Sequence, residues 1–176
     1  MVACSLALVA CGKNCTQSKI VTVDMAKVYN KYARAERSKE QFQEAVEKAQ
    51  GEMRAMLDEG VKMAKELQEL REKMDNPSLS ETARTKFRKQ ADEVTEEIRK
   101  KEVEVNSFRQ QTDRELMERR EKLVTKHIEE IRTAAKSVAE RRKVDLVLNT
   151  SGIEVIHAKS SMDITKDVIE EVNKGK

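Results

Sequence analysis

Tryptophan is absent from this chain, proline occurs once, glycine five times, and the aromatic residues are two tyrosines and three phenylalanines. So little glycine argues against a large doubly wound sheet, whose phosphate loops and tight turns draw on it throughout. Cysteine occurs only at Cys4, Cys11 and Cys15. The rest of the chain therefore has no disulfide staples and no cysteine-based metal or nucleophile chemistry, which fits an oxidising compartment without proving it. A surplus of one charge is also missing. Lys and Arg number 35 against 32 Asp and Glu, a net +3 that calls for no nucleic-acid partner. What is abundant is charge itself, 38% of 176 residues, with 38% hydrophobic, where ordinary soluble domains carry roughly 25% charge. A chain this polar folds if long helices pair along narrow apolar seams and is otherwise disordered, so periodicity decides.

Residues 1–18 differ from the rest. Met1 to Cys11 carries no charge, and Val2 to Ala10 is an apolar stretch too short for a membrane-spanning helix, which needs about 20 residues. It reads as the apolar region of a secretory signal, although no Lys or Arg lies near Met1. Leu8-Val9-Ala10-Cys11 resembles the lipobox of bacterial lipoproteins, which makes Cys11 a lipidation candidate; a plain cleaved signal is the alternative. Gly12 to Ser18 reads as a short tether.

Lys19-Ile20-Val21-Thr22-Val23-Asp24 is a β-branched run that reads as a strand, and Asp24 can cap a helix. From Met25, alternating steps of three and four land on Met25, Val28, Tyr32, Ala35, Lys39, Phe42, Val46, Ala49, Met53, Met56, Gly60, Met63, Leu67, Leu70 and Met74, all apolar except Lys39 and Gly60. That 3.5-residue period is a coiled-coil seam. Pro77 breaks the helix, and Ser78 with Glu81 offers a capping box for a second one. There the seam resumes as Phe87, Ala91, Val94, Ile98, Lys101, Val105 and Phe108. It slips phase between Thr112 and Met117, then continues as Met117, Glu121, Val124, Ile128, Ile131, Ala135 and Val138. The slip is a stutter or a weakly packed stretch.

A basic last turn at Arg141-Arg142-Lys143 ends the second helix. Val144–Asn149 alternates as a strand, Asn149–Gly152 turns, Ile153–His157 supplies a third strand, and Asp163 can cap a short helix over Lys166–Val172. A first helix of about fifty residues would span roughly 75 Å, and the short joint at Asn76–Ser80 folds the second helix back beside it. The fold class expected is α+β and mostly α: a long antiparallel coiled-coil hairpin on a small β-strand oligomerisation base. A leader of 1–18 precedes one domain, 19–176, with its base at 19–24 and 144–176 and a helical arm at 25–143 whose tip lies near 76–80. Three short strands are a poor core for one chain, so the base should bury itself by oligomerising.

Lys19-Ile20-Val21-Thr22-Val23-Asp24-Met25-Ala26-Lys27-Val28-Tyr29 at the start, Val144-Asp145-Leu146-Val147-Leu148 and Ser161–Ile169 near the end together resemble the opening and closing motifs of the Skp/OmpH family of periplasmic chaperones. The resemblance covers Lys19 to Lys176. It implies a homotrimer with a β-rich body and helical-hairpin arms around a cavity, which holds unfolded outer-membrane β-barrel proteins soluble without ATP. The compartment implied is the periplasm, with membrane anchoring left open by Cys11.

Seam residues are engaged by the partner helix, so client contacts are expected from apolar residues off the seam: Tyr29, Leu57, Val61, Leu116 and Leu123. The alternative is that these widen the hairpin seam. The tip is basic, with Arg71, Lys73, Arg84, Lys86, Arg88 and Lys89 around Glu72, Asp75 and Glu81; it suits an acidic client segment or anionic lipid headgroups, or is only a solvated helix end. His127 and His157 have no partners at metal or triad spacing, so no catalytic residue, metal or cofactor is expected. Two rival readings remain: prefoldin, which places its hairpins between the helices rather than flanking them, and a structural envelope coiled coil or lipid-anchored tether without client binding.

Overall fold

The computed structural model describes residues 18–152 and 155–174. The leader, with Cys4, Cys11 and Cys15, lies outside the described residues, as do Ile153 and Glu154. In chain order come β1 (Ile20–Val23), α1 (Met25–Asn30), α2 (Ala33–Met74), α3 (Glu81–Arg141), β2 (Leu146–Asn149), a single 3-10 turn (Ser160–Met162) and α4 (Thr165–Asn173). The chain divides into two compact units, one formed by the segment up to Lys31 with that from Glu130 onward, the other by Tyr32–Glu129.

In the first unit β1 and β2 pair in parallel, Ile20 opposite Leu146 and Val23 opposite Asn149. Parallel pairing requires a crossover connection, and the helices supply it. The other edge of β1 is taken by a bridge from Thr22 to Asp163, where Ile164 N–H donates to the Thr22 carbonyl at 2.9 Å. Val21, Val23, Val28, Ile164, Val168 and Val172 are buried, α4 covering α1 and β1. Asp24 caps α1 as its position predicts, accepting from Lys27 N–H at 2.9 Å and from the Ser151 hydroxyl at 2.9 Å. Those two bonds, the backbone one foremost, hold its carboxyl below the usual range.

Two expectations for this unit change. Of the expected third strand, Ile153 and Glu154 lie outside the described residues, and Val155–His157 have no regular secondary structure, with Ile156 93% exposed. Alternation of β-branched residues favours a strand only where packing rewards it. The first helix is also interrupted. Asn173 Nδ2 donates to the Lys31 carbonyl at 3.0 Å, closing α1. Tyr32 is then extended (φ −86°, ψ 107°) before α2 starts.

The second unit is an antiparallel helical hairpin. Leu67 and Leu70 of α2 pack with Ala91 and Val94 of α3 in a buried cluster, flanked by Met63, Met74, Phe87 and Ile98. At the turn, Ser78 N–H donates to the Asn76 side chain at 2.9 Å, and Arg84 reaches the carbonyls of Asn76 and Pro77 at 3.3 and 3.5 Å. The cap of α3 is Ser80, not Ser78: its hydroxyl accepts from Ala83 N–H at 3.3 Å. Asn76 claims the Ser78 backbone, which moves the helix start two residues on.

Candidate functional site

Along α2 the inward positions run Phe42, Val46, Ala49, Met53, Met56, Gly60, Met63, Leu67, Leu70 and Met74, every one buried or half-buried at the predicted heptad spacing. Before Phe42 the pattern shifts. Ser38 rather than Lys39 is half-buried, and its hydroxyl lies 3.2 Å from His127 Nε2. His127 is 2% exposed and meets Tyr32 edge-to-face, centroids 5.7 Å apart. This histidine, which falls on no heptad position, is part of the seam.

The α3 side keeps the heptad from Phe87 to Phe108, then changes period. Thr112, Leu116 and Leu123 are half-buried and His127 buried, whereas Met117 is 74% exposed, Val124 37% and Glu121 also exposed. The phase assigned from sequence to 117–124 is therefore wrong. Val105, Leu116, His127 and Val138 are spaced eleven apart, a repeat of about 3.67 residues per turn that relaxes the left-handed supercoil.

Midway along the hairpin the seam is polar. Lys101 Nζ lies 2.9 Å from Glu59 on α2 and 2.8 Å from Glu104 on its own helix. The lysine side chain is 18% exposed and both carboxylates are 56% exposed. The bonds to Glu104 and Glu59 hold the ammonium above the usual lysine range, and the bond to Lys101 holds Glu59 below the usual carboxylate range. Gly60 adjoins this group, and a Cβ there would meet no atom within 4 Å.

The proposed contact residues fall into two groups. Leu57 and Val61 are 51% and 67% exposed, one helical turn apart on α2. Leu116 and Leu123 are half-buried in line with Val105 and His127, and Tyr29 is half-buried in α1. Of the basic tip, Arg71, Lys73, Lys86, Arg88 and Lys89 are exposed, while Arg84 is half-buried under the turn carbonyls. Exposed Val103 (67%) escaped the sequence reading, because it lies off the seam among charges. Among the described residues no group of three His, Cys, Asp or Glu side chains is placed to hold a metal, and no helix is long and apolar enough to cross a membrane.

A helical hairpin joined in sequence to a small parallel sheet is the fold of the OmpH-like proteins. The family model described as outer membrane protein (OmpH-like) matches residues 19–172, and this chain belongs to that family. A crystal structure of a candidate outer membrane chaperone (OmpH-like) from Caulobacter crescentus shares the fold at a TM-score of 0.72 with 13% identity, covering 89% of this chain and 84% of that one. No curated protein matches.

Proposed function

We propose that this protein is an ATP-independent holdase of the periplasm that binds unfolded outer-membrane β-barrel proteins and keeps them from aggregating. Membership of the OmpH-like family supports a chaperone role. The observation that carries the reading onto residues is the exposed pair Leu57 and Val61 on a helix whose other large apolar residues are buried or half-buried along the seam. An unfolded barrel protein presents alternating apolar side chains and open strand edges. Dispersed apolar contacts on a charged, soluble helix can hold such a chain without recognising a sequence. Half-buried Tyr29, Leu116 and Leu123 are secondary contacts in this reading. The exposed tip residues Arg71, Lys73, Lys86, Arg88 and Lys89 attract acidic client segments or anionic headgroups at low salt.

The working form is a homotrimer in this proposal, and the sheet supports it. Register partners Ile20 and Leu146 are 38% and 47% exposed, an apolar pair at the end of a two-stranded sheet too small to stand alone. Lipidation of Cys11 would tether the trimer to a membrane without changing the client surface.

The test is light scattering as a urea-unfolded outer-membrane barrel protein is diluted into buffer with and without the purified chain. Suppression near one trimer per client, with no nucleotide added, is the expected result. No suppression at several-fold excess of folded trimer would overturn the holdase reading and leave a structural envelope coiled coil or tether.

A further inference from the structure

We infer that Lys101, with Glu59 and Glu104, is a salt-sensitive clasp that holds the hairpin together at the place where its seam yields most easily. Three observations meet there. From Ser38 to Glu66 on α2 and from Thr95 to Lys126 on α3, every residue is exposed or half-buried, whereas Leu67, Leu70, Ala91 and Val94 beyond one end and Tyr32, Ala35 and His127 at the other are buried. Inside that loose stretch Gly60 contributes no side chain, and the space a Cβ would take is open. The seam position on α3 is then filled by a lysine whose interhelical partner is a half-exposed glutamate at 2.9 Å.

A charged residue in a coiled-coil core position fixes register at a cost in stability. Here the cost falls where apolar packing is thinnest, so beside half-buried Met56, Met63, Ile98 and Val105 the Lys101–Glu59 pair carries a large share of the attachment. Attraction between partly exposed charges is screened by salt, whereas the apolar clusters on either side are not weakened in that way. The hairpin therefore combines well-buried ends with an electrostatic middle, and the middle loosens as ionic strength rises while the ends stay closed. This goes beyond the holdase reading, and testing it requires no client.

The experiment is double electron–electron resonance on the full chain with Cys4, Cys11 and Cys15 replaced by Ser and the labelled chain diluted into unlabelled copies. One label pair sits at exposed Asp58 and Lys100 beside the clasp, a reference pair at exposed Gln68 and Glu93 beside the Leu67–Val94 cluster. The clasp pair is expected to give the broader distance distribution and to broaden further in about 1 M salt, where the screening length falls to about 3 Å. The reference pair should not respond. Lys101→Met removes the charge while keeping an apolar stem, and should abolish the salt response without lowering the melting temperature. Glu59→Gln, which retains the shape and removes the interhelical charge, should also abolish it. A clasp pair as narrow as the reference and indifferent to salt overturns the inference, as does a salt response that survives in both variants.

Discussion

Glu171 on α4 accepts a hydrogen bond from the Arg141 guanidinium at 3.0 Å, joining α4 to the last residue of α3. The same carboxylate takes Lys174 Nζ at 2.6 Å and the Ser137 hydroxyl at 3.3 Å. Lys174 foremost, then Arg141, lower its pKa from 4.5 to about 2. A carboxyl whose folded pKa is depressed contributes stability that is complete above the unfolded value and is lost as pH falls through the folded one. The contribution should fade between about pH 5 and pH 2. Thermal melts followed by circular dichroism across that range should fall more steeply for the parent than for Glu171→Gln. Parallel pH profiles would show that the cluster is too solvated to matter.

Lys143 has φ 52°, in the left-handed region. It follows the end of α3, where Val144 N–H bonds the Ala139 carbonyl at 2.9 Å and Lys143 N–H the Glu140 carbonyl at 3.1 Å. This is a Schellman close with lysine where glycine is the usual occupant. The side chain costs about 1 kcal/mol in that conformation. Lys143→Gly is therefore expected to stabilise the protein by up to about 1 kcal/mol, and Lys143→Val to destabilise it by more than that. Urea unfolding of the two variants beside the parent checks both signs.

Leu70 is 7% exposed in the cluster with Leu67, Ala91 and Val94. Its truncation to Ala should cost about 2–3 kcal/mol, the lower part of the range for buried leucines, because a two-helix contact can partly collapse around the gap. Hydrogen exchange read by mass spectrometry should show amides near 63–98 losing protection. Unchanged protection there would mean that the tip cluster does not hold the hairpin closed.

How far the sequence specified this fold can be followed residue by residue. Phe42 to Met74 is legible because a strict heptad leaves one possible inward face. Helix α3 misleads after Phe108 because its repeat lengthens from seven to eleven, and a heptad reading then selects Met117 where the structure buries part of Leu116. Ser38 and His127 carry no heptad signal for a different reason: they are polar and enter the seam 3.2 Å from each other, with His127 also packed on Tyr32. At the break the Lys31 carbonyl takes its bond from Asn173, which lies 142 positions away in sequence. Such distant partners leave no local trace. The exposure of Leu57 and Val61 could be read from their offset from the seam, because one residue off a heptad position turns a side chain about 100° from the partner helix.

That exposed pair gives the most direct separation of binding from folding. Leu57 and Val61 keep half and two-thirds of their solvent contact in the folded chain, at 51% and 67% exposure. Replacing both with Ser should therefore change stability by no more than about 0.5 kcal/mol per site, as for surface substitutions away from special features. Serine is a poorer helix former than leucine, so a small loss is expected even without any lost contact. Client holding should respond differently, because those two side chains supply apolar surface on the open flank of α2. In the light-scattering assay the Leu57→Ser/Val61→Ser protein should need several-fold more chaperone to suppress the same aggregation, with its melting temperature nearly unchanged. Exposed Val103, also on the hairpin but without an apolar neighbour four residues away on its own helix (Arg99 and Ser107 occupy those positions), is the control. Val103→Ser should leave holding close to the parent. Equal loss in both proteins would mean that clients read general apolar surface on the hairpin rather than the stripe on α2. No loss in either would move the contact to the half-buried residues Leu116 and Leu123, which keep part of their surface accessible.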